Sequence, residues 1–139
     1  EARGVLILDD YGHHPNEIRA VLATLADCFP RRRRIVVFQP HRYSRTHALM
    51  ADFARCFYQS DVLLLTEIYA ASEKPIPGIT GELLAKNIAA HGHHDLYFCA
   101  NLDAVVEKVR SLVAPGDVVI TLGAGNIWQA GESLLRELA

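Results

Sequence analysis

The residues best equipped for chemistry lie in two polar segments, each directly behind a short apolar run. Asp9-Asp10-Tyr11-Gly12-His13-His14-Pro15 follows Val5–Leu8, and Gln39-Pro40-His41-Arg42-Tyr43-Ser44-Arg45-Thr46 follows Ile35–Phe38. Imidazole titrates near neutrality and can take a proton from an amine, so His13 and His41 are candidate general bases or substrate-orienting groups. Arg42 and Arg45 flank Tyr43 and Ser44 at the start of a helical stretch. A guanidinium there opposes the helix dipole, which points to an anionic ligand held by the arginine forks and by free backbone N–H groups. Asp9 and Asp10 close a strand ahead of a turn at Gly12. A carboxylate in that position either accepts hydrogen bonds from ribose hydroxyls or caps the next helix, and the pair reads as one of each.

Other candidates carry less. His13, His14 and His41 could supply imidazoles to zinc, but adjacent histidines point apart and no thiolate or acidic ligand stands at a metal spacing, so no metal site is assigned. His91, His93 and His94 read as exposed surface. Gly123-Ala124-Gly125-Asn126 follows the last strand and opens a helix, as a phosphate-cradling loop would, although Trp128 and Gln129 break the G-x-G-x-x-G pattern. Lys74, Lys86 and Lys108 are the only lysines and none follows a glycine, which excludes a G-x-x-x-x-G-K-[ST] loop. Any grip on nucleotide phosphates must come from elsewhere.

Regular elements must position these segments. Apolar runs that read as buried strands are Val5–Leu8, Ile35–Phe38, Val62–Leu65 and Val118–Leu122, with a weaker one at Leu96–Cys99. Between them run helical periods: Ile18, Val21, Leu22 and Leu25 with Pro15 in the first turn; Leu49, Phe53 and Phe57; Leu84 and Ile88. Asn101 should cap a helix carrying Leu102, Val105, Val106, Val109 and Leu112, ended by Pro115-Gly116. A last helix carries Ile127, Leu134, Leu135 and Leu138. Such alternation predicts a single Rossmann-like α/β domain, its mostly parallel sheet covered by helices on both faces. In that architecture ligands bind beyond the carboxyl ends of the strands, where the two polar segments would meet. The irregular stretch Glu67–Gly78 is expected to line the same crevice.

Length and composition bound the rest. The chain has 139 residues, half of them apolar, enough for one domain with a real core. A formal net charge of -2 makes no electrostatic case for a nucleic acid or membrane partner. Arg31–Arg34 reads as a solvated turn rather than a phosphate patch. Cys28, Cys56 and Cys99 fit reduced thiols, and no apolar run reaches the roughly 20 residues of a membrane span, so a soluble cytoplasmic setting is expected. The start at Glu1, with a strand almost at once, suggests a domain of something larger.

With these residues in view, the chain resembles the carboxy-terminal domain of the Mur ligases, in particular the alanine-adding branch. The resemblance rests on Asp9–Pro15, Phe38–Thr46, Tyr69-Ala70-Ala71-Ser72-Glu73 with Pro75-Ile76-Pro77-Gly78, and Gly123–Ile127, in family order over essentially all of residues 1–139. Ser72 departs from the glycine that many members carry. The resemblance implies one domain, amino acid-binding and closing over ATP, of an enzyme that forms an amide bond with ATP and Mg²⁺. The lactyl carboxylate of UDP-N-acetylmuramate would be phosphorylated, and the L-alanine amine would attack the acyl phosphate. Phosphate loop and magnesium ligands would belong to the central domain, and the UDP-sugar site to the amino-terminal one, so the fragment alone would be inactive. Residue by residue, it implies Asp10 at the ATP ribose, Tyr11, His13, His41, Arg42 and Arg45 around L-alanine, His13 and His41 as catalytic groups, and Gly123–Asn126 closing the same pocket.

Competing readings are a stand-alone nucleotide-binding module, the related murein tripeptide-recycling ligase, and a metal-binding module on His13, His14 and His41. The first lacks a glycine fingerprint after the first strand, and the second is not expected to carry His41-Arg42-Tyr43-Ser44-Arg45.

Overall fold

The computed structural model describes residues 1–139. Five parallel strands form one sheet: β1 (Leu6–Asp10), β2 (Arg34–Phe38), β3 (Val62–Thr66), β4 (Leu96–Cys99) and β5 (Val118–Leu122), in the order β1-β5-β2-β3-β4. Six helices connect or follow them: α1 (Pro15–Cys28), α2 (Tyr43–Ala48), α3 (Met50–Phe53), α4 (Gly81–Ala90), α5 (Leu102–Leu112) and α6 (Trp128–Leu138). The predicted Rossmann-like class is what the chain adopts.

Alternation along the strands divides the core between the two faces. In β2, Val36 and Phe38 join Ile18 and Leu22 of α1, Leu84 and Ile88 of α4, and Phe53 and Phe57. Ile35 and Val37 point the other way, into a cluster with Val105 and Val109 of α5 and Leu134 of α6. Each such fully buried Leu, Ile or Phe contributes about 1.5–3 kcal/mol relative to exposure, which is why tertiary packing outranks local helix preference here. The stripe Leu49, Phe53 and Phe57 shows this. It does not form one helix: the backbone leaves the helical region at Leu49 (φ -112°, ψ 18°), α3 ends at Phe53, and Phe57 lies beyond it. The break lets both rings pack on Phe38, at centroid distances of 5.5 and 5.3 Å.

Other departures are local. β1 starts at Leu6 and runs on to Asp10, so both aspartates lie within the strand. As an edge strand it leaves Leu6, Ile7 and Leu8 only half-buried. Asn101 does cap α5, its Oδ1 accepting from Ala104 N at 2.9 Å, but that helix stops at Leu112, ahead of Pro115. Ile127 precedes α6 rather than riding on it, and Leu135 is 38% exposed. The arginine run is not simply solvated. Arg33 donates to both carboxylate oxygens of the buried Asp117, at 3.2 and 2.6 Å, and Arg34 donates to Gln59 O at 2.8 Å. These bonds tie the β2 entrance to its neighbours. His93 is likewise not free surface: its Nε2 lies 2.6 Å from Ser60 Oγ, and its Nδ1 is buried without a partner. All three cysteines are free, and burial pushes the Cys56 thiol up to about 12.

Candidate functional site

The sheet register aligns the strand ends. Asp10 pairs with Leu122, Leu122 with Phe38, and Phe38 with Leu65, so these four residues form one row. The segments that follow therefore leave the sheet at one edge: Tyr11–His14, Gly123–Asn126, Gln39–Arg42 and Glu67–Glu73. This is the crevice expected at the carboxyl ends of a parallel sheet.

The first segment is ordered by its own polar groups. Asp10 Oδ2 accepts from Gly12 N at 2.8 Å, while Asp9 Oδ1 accepts from Thr121 Oγ1 at 2.5 Å. Neither aspartate caps α1. That task falls to His14, whose Nδ1 accepts from Asn16 N at 3.3 Å while Glu17 accepts from His14 N at 3.1 Å, a reciprocal box ahead of Pro15. Capping turns His14 away, and His13 goes to the crevice.

There the rings form a row. Tyr11 meets His13 edge-on with centroids 5.5 Å apart, His13 lies 5.8 Å from His41, and His41 stacks on Tyr69 at 5.6 Å with planes 13° apart. Tyr69 is held there by the backbone, donating from its N to Pro40 O and accepting at its O from Arg42 N, both at 2.8 Å. The stretch Glu67–Gly78 thus lines the site as expected. Tyr69 itself entered the sequence reading only as part of a motif, and its role depends on this pairing of β3 and β2 exits.

The two arginines differ. Arg45 Nη1 donates to His41 Nδ1 at 3.1 Å and to His41 O at 3.3 Å. The Arg42 guanidinium makes no hydrogen bond or ion pair within the protein, and its backbone sits at φ 71°, in the left-handed region. The amino end of α2, read from sequence as open to an anion, is taken by the protein's own carboxylate: Glu73 accepts from Ser44 N at 3.1 Å and from Ser44 Oγ. These bonds hold Glu73 below the usual carboxylate range. Burial first, then the nearby Arg45, His13 and Arg42 charges, lower His41, with Glu73 opposing.

Gly123–Asn126 does not open a helix directly; α6 begins at Trp128. Its glycines serve close approach instead. A Cβ on Gly125 would lie 2.7 Å from both Gln39 Oε1 and the Tyr69 ring. Asn126 Oδ1 accepts from Gln39 Nε2 at 2.8 Å, joining this loop to the β2 exit through a buried side chain that sequence reasoning did not single out. A hollow of about 300 Å³ lies beside it, lined by Gln39, Glu67, Tyr69, Asn101 and Asn126 among others. The site therefore unites Asp10, Tyr11, His13, His41, Arg42, Arg45, Gly123 and Asn126 at one edge. No three His, Cys, Asp or Glu side chains gather closely enough to hold a metal ion.

The family model described as "Mur ligase, glutamate ligase domain" matches residues 1–125. The UDP-N-acetylmuramate–L-alanine ligase of Syntrophobacter fumaroxidans is 71% identical over 138 residues, covering 99% of this chain and 29% of that protein. The ligase of the same name from Geobacter sulfurreducens is 53% identical over 138 residues, covering 99% of this chain and 30% of that one. Among solved structures, the UDP-N-acetylmuramate-alanine ligase of Thermotoga maritima matches with a TM-score of 0.79 at 25% identity, over 97% of this chain and 27% of that chain. A murein peptide ligase from Psychrobacter arcticus matches with a TM-score of 0.80 at 18% identity, over 99% of this chain and 28% of that chain, a likeness of fold alone. The chain spans under a third of the length of these curated relatives. With nine-tenths of its length inside the family match and the strand ends arranged as described, the chain belongs to the Mur ligase, glutamate ligase domain family.

Proposed function

We propose that residues 1–139 form the amino acid-binding domain of an ATP-dependent ligase that joins L-alanine to UDP-N-acetylmuramate through an acyl phosphate, a cytoplasmic step in building peptidoglycan precursors. One observation carries this reading: an unpartnered guanidinium, Arg42, stands at the same sheet edge as two open imidazoles, His13 and His41. A zwitterionic amino acid needs that combination, a planar fork for its carboxylate and a nitrogen lone pair for its ammonium proton. The relative at 71% identity, a UDP-N-acetylmuramate–L-alanine ligase, supplies the reaction.

Within this reading Asp10 takes the ATP ribose through Oδ1, since Oδ2 is engaged by Gly12 N. Tyr11 and the Gly123–Asn126 loop close the pocket over the alanine. The phosphate grip, the magnesium ligands and the UDP-sugar site are assigned to amino-terminal and central domains of the same enzyme, because this chain carries no phosphate loop.

The test is phosphate release by the longer protein that contains this chain, given ATP, Mg²⁺, UDP-N-acetylmuramate and each of the common amino acids. Release that requires both the UDP-sugar and L-alanine is expected, with no ATP turnover by residues 1–139 alone. Alanine-independent turnover, or clear preference for another amino acid, would overturn the proposal.

A further inference from the structure

The two imidazoles at the sheet edge are not equivalent. His13 Nδ1 lies 3.0 Å from the carbonyl oxygen of Tyr11 and 3.8 Å from the carboxylate of Glu17. Both of those groups only accept, so Nδ1 carries the hydrogen and the lone pair of the neutral ring sits on Nε2. His41 Nδ1 instead faces Arg45 Nη1 at 3.1 Å. A guanidinium only donates, so this Nδ1 is the acceptor and the hydrogen of the neutral ring sits on Nε2. Neither Nε2 bonds within the protein, and neither is buried, so both are open to solvent beside the strand ends.

We infer that the pair is split by tautomer: His13 presents a lone pair, His41 presents an N–H, and Arg45 is the positioning residue that holds His41 in that form. The chemical use of the split rests on the ligase reading; the tautomers themselves do not. In the amide-forming step, the alanine ammonium gives one proton to His13 Nε2, leaving a neutral amine and an imidazolium still bonded to Tyr11 O. The amine lone pair forms the C–N bond at the acyl carbon. The C–O bond to phosphate breaks, phosphate leaves with that electron pair, and the remaining surplus proton departs with it. His41 Nε2–H donates to the oxygen on which negative charge gathers and keeps its proton throughout, as a neutral donor. The groups around it favour neutrality: Arg45 and Arg42 on α2 and its amino end, and His13 from the β1 exit, oppose a positive charge, the Tyr69 ring stacks on one face, and Glu73 favours such a charge.

Nitrogen-15 NMR of histidine-labelled protein tests the split directly, with His13→Gln and His41→Gln variants identifying the signals. The expected result is a pyridine-type Nε2 for His13 and a pyridine-type Nδ1 for His41. Arg45→Met, checked for an unchanged fold, should draw the two His41 nitrogen signals together and raise the pH at which that ring titrates. The same tautomer on both rings in the wild-type protein, which needs no variant to fold, would overturn the inference. In the longer ligase, glutamine can still donate but cannot take a proton, so His41→Gln should retain at least about tenfold more kcat than His13→Gln. Equal losses would also count against the split. Absence of any alanine-dependent ligation would sink the ligase reading while leaving the NMR result standing.

Discussion

Tyr69 and His41 lie face to face, with ring centroids 5.6 Å apart and planes within 13°, and the backbone of Tyr69 bonds on both sides of His41, at Pro40 O and Arg42 N. The stretch after β3 therefore acts as a wall that fixes the imidazole and fills the space below Gly125.

That wall makes Gly125 a sensitive position. In Gly125→Ala the added methyl would start 2.7 Å from Gln39 Oε1 and from the Tyr69 ring, and Gln39 is buried and already bonded to Asn126. Overpacking of this kind should cost about 1–3 kcal/mol, read as a lower urea midpoint with unchanged slope. An unchanged midpoint would mean that Tyr69 moves aside freely.

Ser72 holds a backbone conformation that suits glycine better than serine. Ala71 and Ser72 both have positive φ, 50° and 70°, just ahead of Glu73. Relief of left-handed strain is worth about 1–2 kcal/mol, partly offset by the freer unfolded chain of a glycine variant. Ser72→Gly should therefore hold or raise stability, whereas Ser72→Val should lower it by about 1–2 kcal/mol, because a branched side chain fits that region poorly. Thermal unfolding of the pair, with Glu73 still on Ser44, checks the order.

Acid should weaken the fold through two half-buried histidines. Burial, the leading cause in both, lowers His41 and His93 from the ordinary value of 6.5. As pH falls through 6.5 the unfolded chain takes up protons that the folded chain refuses, so this stability is complete above that pH and lost progressively below it. His93→Gln keeps a donor for Ser60 but cannot titrate. Urea midpoints at pH about 7.5 and about 5.5 should fall in the wild type and fall less in the variant. Identical slopes against pH would remove His93 from the account.

Arg42 tests the proposed amino acid pocket. Its guanidinium has no partner in the protein, and lysine would keep the charge without the planar fork. Under the proposed ligase reading, Arg42→Lys in the full-length protein should lower kcat/KM for L-alanine by at least about tenfold, roughly 1.4 kcal/mol, and move the ATP KM far less. A wild-type alanine dependence in a correctly folded variant would place the carboxylate elsewhere.

Much of the site was legible in the chain alone, because periodicity marks each buried strand and a parallel sheet delivers its strand exits to one edge. Asp10, His13, His41 and Arg42 could be named from that rule, since it needs only their position behind Leu8 and Phe38. Three-dimensional packing decided the rest. Whether Arg45 faces a ligand or His41, whether Asp10 or His14 caps α1, and whether Glu73 fills the amino end of α2 depend on distances between segments up to 29 residues apart. Hydrogen bonds of that kind are set by register and loop geometry, to which hydrophobic spacing is blind. The tautomers of His13 and His41 follow from the same contacts: each ring's identity came from the sequence, but only its neighbour determines which nitrogen holds the proton.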